Sequence, residues 1–327
     1  IVLLYLIISS LYASNTNEAF ITLYKYGVII CIFLISVNII CKTNNVITTI
    51  CYIFSFSLFI EGLYTIIDYI VSYKNFKGIA TNVNISSSSI IFKMPFLIYL
   101  ILKVKKGKSK MFFRIVEFIC IISVLLLQSR LGLISLVLIY IWHMLLLKGI
   151  HYRYIITLIF IGLFNFLITP SNSSRNLDSN VLSIENLNSD ESINQRLVFY
   201  KKALNMSYEK PLIGFGLGSW KYESSNYAER KNRSVLIPYY THNDFLQILF
   251  ELGILGLFFY LLFIGSLFVK AFYIINNYRG VILLSLILFT FNSFLNFPIH
   301  RTQEYIPFII VASFIYRDNI KTLNKIK

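Results

Sequence analysis

Long apolar runs separated by short polar connections recur along the whole of this sequence. Runs of roughly 18 or more apolar residues are typical of helices that cross a lipid bilayer. The 327 residues are 57% hydrophobic and only 14% charged, whereas soluble domains average about 25% charged residues. A soluble globular enzyme, a disordered chain and a fibrous repeat are therefore excluded. We predict an all-α fold, a polytopic bundle of transmembrane helices.

The apolar runs predict about ten spans, of which the first is incomplete, because the chain opens at Ile1 inside an apolar run. They cover residues 1–12, 20–41, 46–71, 87–103, 112–128, 131–147, 152–169, 243–270, 280–297 and 304–318. The pattern divides the chain into an N-terminal bundle of about seven spans (1–169), a long loop (170–241), and C-terminal helices with a basic tail (242–327).

The net charge of +15 would suggest a nucleic-acid partner in a soluble chain. Here the basic residues crowd every second connection, above all residues 103–114 and the C-terminal tail. Basic connections of a membrane protein lie preferentially in the cytoplasm. We therefore expect a cytoplasmic C-terminus, an extracytoplasmic loop at 170–241, and no nucleic-acid partner.

The loop 170–241 changes character along its length. Residues 171–191 are rich in Asn and Ser, which predicts a flexible excursion. Residues 195–204 have helical apolar spacing, and a glycine-rich turn follows Pro211. His242-Asn243-Asp244 then opens a helix that runs directly into the membrane, with Asn243 and Asp244 as candidate caps. A patterned loop of this length indicates function or disorder, and the patterning favours function.

Four side chains are candidates for chemistry on the outer side. His242 is suited to accept a proton near neutral pH, or it satisfies a polar group at the interface. Arg130 and Arg196 are suited to bind phosphate, because a guanidinium presents a rigid fork of donors. Each has a plainer interpretation, snorkelling for Arg130 and a solvated helix face for Arg196. Arg301 is a further phosphate contact or an ordinary loop charge.

Other polar residues give weaker indications. Four acids within apolar runs could form a proton relay, or Glu117 could simply pair with Arg114. These acids are Glu61, Asp68, Glu117 and Glu251. The glycines at 214, 216 and 218 lack the Lys-Ser/Thr of a nucleotide-binding loop, which favours a turn that brings backbone close to another group. The histidines fall on both sides of the membrane, so we expect neither a metal site nor a cofactor.

Four short motifs follow one another in the order Ser129-Arg130, Arg196-Leu197, Lys210-Pro211 with Gly214, Gly216 and Gly218, and His242-Asn243 with Glu251 and Gly253. Together they resemble the signature of the O-antigen ligase and O-antigen polymerase family, membrane proteins of bacterial surface polysaccharide assembly. The similarity covers roughly residues 120–275, and each motif alone is weak.

The resemblance implies a glycosyltransferase on the outer face of the bacterial inner membrane. Its donor would be an oligosaccharide on undecaprenyl pyrophosphate, as in O-antigen, lipopolysaccharide or capsule assembly. It implies that Arg130 and Arg196 hold the pyrophosphate while His242 takes the proton of the acceptor hydroxyl. Direct displacement would invert the anomeric centre without a metal or a cofactor. Further substrate contacts would come from Arg301, Gly214, Gly216 and Gly218.

The implied partners are the lipid-linked donor, a saccharide acceptor, the bilayer and a chain-length regulator protein. The sequence favours a polymerase over a ligase acting on lipid A-core or a protein acceptor, because the outer loop carries no obvious extra domain. A lipid-linked oligosaccharide flippase is the alternative from another class, and a structural membrane subunit is a third. A transporter should show discontinuous helices and often a repeat, whereas polar residues here concentrate in one loop.

Overall fold

The computed structural model describes residues 2–42, 45–72, 75–146, 152–168, 191–226, 230–231, 234–235, 239–274 and 278–326. Among these residues the fold is helical, with one antiparallel pair of two-residue strands, β1 (Arg230–Lys231) and β2 (Ser234–Val235). The all-α prediction is confirmed. The excursion predicted for 171–191 lies, apart from its last residue, outside the described residues.

Each of the ten predicted apolar runs contains a helix. In chain order the helices are α1 (Val2–Leu11), α2 (Thr16–Lys42), α3 (Val46–Ser72), α4 (Val83–Lys103), α5 (Lys108–Leu127), α6 (Arg130–Leu146), α7 (Tyr152–Ile168), α8 (Glu191–Ser207), α9 (Ser219–Asn226), α10 (Asp244–Phe272), α11 (Arg279–Leu295) and α12 (Thr302–Ile326). A 3-10 helix, Pro298–His300, precedes α12. Helix α8 confirms the helix predicted within the long loop.

Four of the described helices, α2, α3, α4 and α10, are long and apolar enough to cross a membrane. Shorter apolar helices are α1, α6, α7 and α11. The chain is therefore a multi-pass membrane protein, and the number of ten spans stays a prediction. Helix α4 begins four residues earlier than predicted, because the Asn82 side chain caps it by accepting from the N–H groups of Asn84 and Ile85.

The chain forms two compact units. Unit 1 comprises Ile1–Cys41, Asn188–Tyr273 and Thr290–Lys327, and unit 2 comprises Lys42–Leu187 and Ile274–Phe289. Unit 1 therefore holds α1, α2, α8, α9, α10, the 3-10 helix and α12, and unit 2 holds α3 to α7 and most of α11.

Unit 2 is built around α3, α4 and α5. Lys93 is 3% exposed and forms an ion pair with Glu61 of α3. Ser57 accepts a hydrogen bond from the Lys93 ammonium group, and Ser89 donates one to Glu61, both at 3.0 Å. Charges within an apolar helix bundle need such partners, because an isolated ion there carries a large desolvation cost.

The other acids of unit 2 also have structural partners. Asp68 accepts from the backbone N–H groups of Lys77 and Gly78, each at 2.9 Å, and so closes the connection after α3. Glu117 accepts from the Tyr140 hydroxyl at 2.8 Å. These contacts support structural roles for Asp68 and Glu117.

Helix α10 of unit 1 is interrupted at Gly253, which has φ 64° and ψ −168°. These angles lie in a backbone region that essentially only glycine adopts. The apolar run 243–270 forms α10 as predicted, but nothing in its local pattern indicated this interruption. The physical reason is the approach of the glycine-rich turn, which takes up the backbone groups that the interruption frees.

Candidate active site

The glycine-rich turn packs directly against the interruption of α10. Each freed backbone group in an apolar environment needs a partner, because water is absent there. The turn supplies these partners through four backbone hydrogen bonds: Phe215 N–H to Phe250 C=O (3.0 Å), Gly216 N–H to Glu251 C=O (2.9 Å), Ile254 N–H to Pro211 C=O (2.8 Å) and Leu255 N–H to Leu212 C=O (3.3 Å). The Tyr5 hydroxyl donates to the Leu252 carbonyl at 2.6 Å.

Gly214, Gly216 and Gly218 all have positive φ, at 71°, 97° and 72°. A Cβ on Gly214 would lie 2.6 Å from the Glu251 carbonyl, so the close packing admits no side chain. The N–H groups of the three glycines donate to Lys210 C=O, Glu251 C=O and Glu251 Oε2, respectively. Because these donors already have protein acceptors, the turn acts here as a packing element. Its predicted substrate contact stays a prediction.

Glu251 links the turn to α10. Its side chain accepts from Gly218 N–H at 2.9 Å and from the Gln247 amide at 3.1 Å, and the residue is only 3% exposed. The backbone N–H of Trp220 also donates to this carboxyl, so its partners belong to the turn, to the first residues of α9 and to its own helix. This arrangement supports a structural role for Glu251.

A small apolar cluster fixes α8 on α10. The buried members are Ala203, Met206, Phe215, Trp220 and Phe250. Phe215 stacks on Phe250 with ring centroids 4.7 Å apart, and Trp220 meets Phe250 edge-on at 5.3 Å. Burial of aromatic rings in such pairs gives the loop helix a defined position. Helix α8 therefore presents Arg196 and Tyr200 in a fixed orientation.

His242 lies immediately before the cap of α10. Asn243 is the cap residue, and its side chain accepts from Leu246 N–H at 3.0 Å, as the sequence predicted. His242 itself has a φ of 59°, a left-handed conformation that is uncommon for a residue with a side chain. The Tyr200 hydroxyl donates to the His242 carbonyl at 2.9 Å. The loop helix thus holds the backbone of His242 in this conformation.

The His242 imidazole sits between two aromatic rings. It stacks with Phe199 at 6.3 Å and meets Phe297 edge-on at 5.0 Å. Its Nδ1 is buried and has no hydrogen-bond partner among the described residues. The Arg301 guanidinium lies 3.7 Å from the Phe297 ring centroid. His242 and Arg301 therefore both contact Phe297.

Arg196 also belongs to this group of residues. It donates to the Leu295 carbonyl at 3.2 Å, two residues before Phe297. Burial lowers the pKa of His242 to about 4, and the positive charges of Arg196 and Arg301 add to this shift. Burial likewise lowers the pKa of Arg301. His242 is therefore neutral at pH 7 and lies in a positive local field, which suits a proton acceptor beside an anion.

A polar pocket adjoins this group within unit 1. Six of its lining residues are Glu18, Lys25, Lys221, Tyr240, Gln247 and His300. Tyr240 connects this pocket to the residues around His242, because its ring stacks on Phe297 at 4.2 Å and contacts His300 at 4.8 Å. The sequence did not indicate a role for Tyr240 or Phe297, because aromatic residues are common throughout it. Lys25 did carry a signal, as a charge inside the apolar run 20–41.

Arg130 lies in unit 2, whereas His242, Arg196 and Arg301 lie in unit 1. It is the first residue of α6 and is half-buried. The preceding Ser129 donates to the Asn84 side chain at 2.9 Å, which ties the start of α6 to the start of α4. A shared role for Arg130 and His242 stays a prediction. Among the described residues, no group of three or more His, Cys, Asp or Glu side chains is placed to hold a metal ion.

Comparison with known proteins gives three matches. A family model described as O-antigen ligase matches residues 115–261. A provisionally named polysaccharide ligase of Rickettsia conorii is 33% identical over 92 residues, which cover 27% of this chain and 22% of the relative. One from Rickettsia typhi is 34% identical over 88 residues, covering 26% of this chain and 22% of the relative.

The chain thus spans about a fifth of the length of the curated relatives it matches. The stretch 115–261 includes Arg130, Arg196, the glycine-rich turn and His242, and it ends before Arg301. The family resemblance inferred from the four motifs is confirmed.

Proposed function

We propose, because residues 115–261 match a family model described as O-antigen ligase, that the protein is a membrane glycosyltransferase of polysaccharide assembly. It transfers a saccharide from undecaprenyl pyrophosphate to an acceptor hydroxyl on the outer face of a bacterial inner membrane. The observation that carries the proposal is the arrangement around Phe297: His242 and Arg301 both contact this ring, and Arg196 donates to the Leu295 carbonyl two residues before it. A neutral imidazole beside two guanidinium groups suits the deprotonation of a hydroxyl next to a pyrophosphate.

In the proposed reaction the acceptor oxygen attacks the anomeric carbon of the donor sugar and inverts it. The bond between this carbon and the pyrophosphate oxygen breaks, and the acceptor proton passes to His242. Arg196, Arg130 and Arg301 stabilise the negative charge that develops on the leaving pyrophosphate. The step uses no metal or cofactor, since the guanidinium groups supply the cations.

The acceptor is proposed to enter through the polar pocket beside Tyr240. This pocket offers carboxylate, amide, hydroxyl and aromatic groups, which suit the hydroxyls and the apolar face of a sugar. The glycines at 214, 216 and 218 contribute to substrate binding by positioning the wall of this pocket, of which Gly218 and Glu251 are members.

Two types of acceptor are compatible with this proposal, that of a ligase and that of a polymerase. A ligase is favoured by the comparisons, whose matches are described as O-antigen and polysaccharide ligases. A polymerase, with a chain-length regulator as partner, is favoured by a loop without an obvious extra domain. The flippase alternative has less support, because the freed backbone groups of α10 bind the protein's own glycine-rich turn rather than a free cavity.

The test is complementation of cells that lack the native protein, with the surface polysaccharide and the carrier-linked pool analysed separately. At wild-type membrane abundance, we expect His242→Ala to abolish transfer and Arg196→Ala to reduce it to a small residual activity. The matched control is Lys201→Ala, which removes an exposed cation from the same helix α8. It should leave the polysaccharide unchanged.

The material that accumulates in the His242 variant identifies the acceptor. Polymer held on the lipid carrier indicates a ligase, whereas single repeat units indicate a polymerase. A normal polysaccharide pattern from an abundant His242→Ala protein would overturn the catalytic assignment and favour the flippase.

A further inference from the structure

A groove in unit 2 lies between α4, α5 and α7. Its cavity volume is about 220 Å³. Lys110 and Arg114 line one end, and most of the remaining lining is apolar, with Ile98, Phe118 and Ile121 among its members. A groove that is cationic at one end and apolar along its length matches an amphiphile with an anionic head group.

The charges at this end have few protein partners. Lys110 donates to the Val104 carbonyl at 3.3 Å, and in the described part of the chain no acceptor binds the exposed Arg114 guanidinium. Glu117 also lines the groove, and the Tyr140 hydroxyl donates to it. The adjoining connection adds four exposed lysines, 103, 105, 106 and 108, so the surroundings stay strongly positive.

The length of the groove matches one leaflet of a bilayer. Lys110 and Ile121 lie on the same helix, and at about 1.5 Å of rise per residue they are roughly 16 Å apart along its axis. The hydrocarbon core of a bilayer is about 30 Å thick, so this distance is about half of it. A head group at Lys110 would therefore place an acyl chain along Phe118 and Ile121 within a single leaflet.

We propose that this groove is a binding site for an anionic phospholipid of the phosphatidylglycerol type. The phosphate binds Lys110 and Arg114, and one acyl chain lies along α4, α5 and α7. Because α7 contributes Thr157 to the lining, the bound lipid bridges three helices of unit 2. It therefore stabilises the unit, and this role is independent of the proposed enzymatic activity.

The full chain in detergent provides the test, by native mass spectrometry and thermal unfolding. We expect phosphatidylglycerol to remain bound and to raise the Tm more than phosphatidylcholine with the same acyl chains. Lys110→Gln/Arg114→Gln should weaken phosphatidylglycerol binding about 10- to 30-fold, since each basic residue near a membrane surface contributes roughly three- to fivefold. Its Tm without added lipid shows whether the variant folds normally.

The control is Lys105→Gln/Lys106→Gln, which removes the same charge from exposed residues that do not line the groove. It should keep nearly wild-type binding. An equal loss in both variants would overturn the proposal, because the attraction would then come from the basic connection as a whole. Equal stabilisation by both phospholipids, or binding of a polyprenyl phosphate in preference to phosphatidylglycerol, would also overturn it.

Discussion

At the scale of single residues, the charges around His242 determine how the proposed reaction depends on pH. The pKa of His242 is lowered to about 4 by burial, Arg196 and Arg301, so the free protein should keep a neutral imidazole down to about this pH. A bound pyrophosphate offsets the positive field and raises this pKa. We therefore expect the acid limb of kcat to lie at a higher pH than that of kcat/KM, because kcat reports the complex.

Arg196→Ala tests whether nearby cations lower the pKa of His242. Removing a cation favours the imidazolium form, so the pKa of His242 rises and the acid limb of kcat/KM moves to higher pH. Lys201→Ala should not move the acid limb, because the cations that lower the His242 pKa are Arg196 and Arg301. An acid limb of Arg196→Ala that stays at the wild-type pH, measured on the residual activity of purified protein, would show that His242 is not the titrating base.

Tyr200 is a positioning residue, because its hydroxyl donates to the His242 carbonyl at 2.9 Å and not to the reacting ring. Tyr200→Phe should lower kcat by up to about tenfold, the equivalent of one hydrogen bond, with a smaller effect on KM. Tyr208→Phe is the control, because Tyr208 is 79% exposed and lies just after α8. If KM changed and kcat did not, Tyr200 would instead be a substrate contact.

At the scale of helices, the interruption of α10 depends on Gly253. An alanine there would hold φ 64° and ψ −168° at a cost of roughly 1–3 kcal/mol, and its Cβ would also collide with the Leu212 backbone. Gly253→Ala should therefore lower the Tm of the purified protein. Gly265→Ala on the same helix meets open space and should leave the Tm unchanged or raise it slightly. Similar Tm values for the two variants would contradict the strain at Gly253.

This interruption also shows which features were predictable. The helices within the ten apolar runs and the Asn243 cap follow from local patterns of apolar and capping residues, so the sequence was sufficient to predict them. The interruption at Gly253 depends on Pro211 to Gly216, about forty residues earlier, whose backbone binds the freed groups. Local periodicity contains no information about such a contact. The same holds for Phe297, which the tertiary fold alone brings against His242 and Arg301.

At the scale of the whole molecule, the proposed chemistry requires the loop helix α8 and the basic connection before α5 to face opposite sides of the membrane. The distribution of basic residues predicts that α8 is outside and the connection inside. The exposed Tyr208 and Ser109 report on these two positions. In a variant whose exposed native thiols, Cys31 and Cys41, are replaced by Ser, we expect Tyr208→Cys to react with a membrane-impermeant maleimide in spheroplasts.

Ser109→Cys should react only after the membrane is permeabilised, and the cysteine-depleted parent should react in neither condition. Both residues are exposed in the structure, so a difference in their labelling reports the membrane barrier and not burial within the protein. Labelling of Ser109→Cys alone in intact spheroplasts would invert the orientation and place His242 in the cytoplasm. A donor presented on the outer leaflet would then be out of reach, and the proposed transfer would have to draw on a cytoplasmic donor.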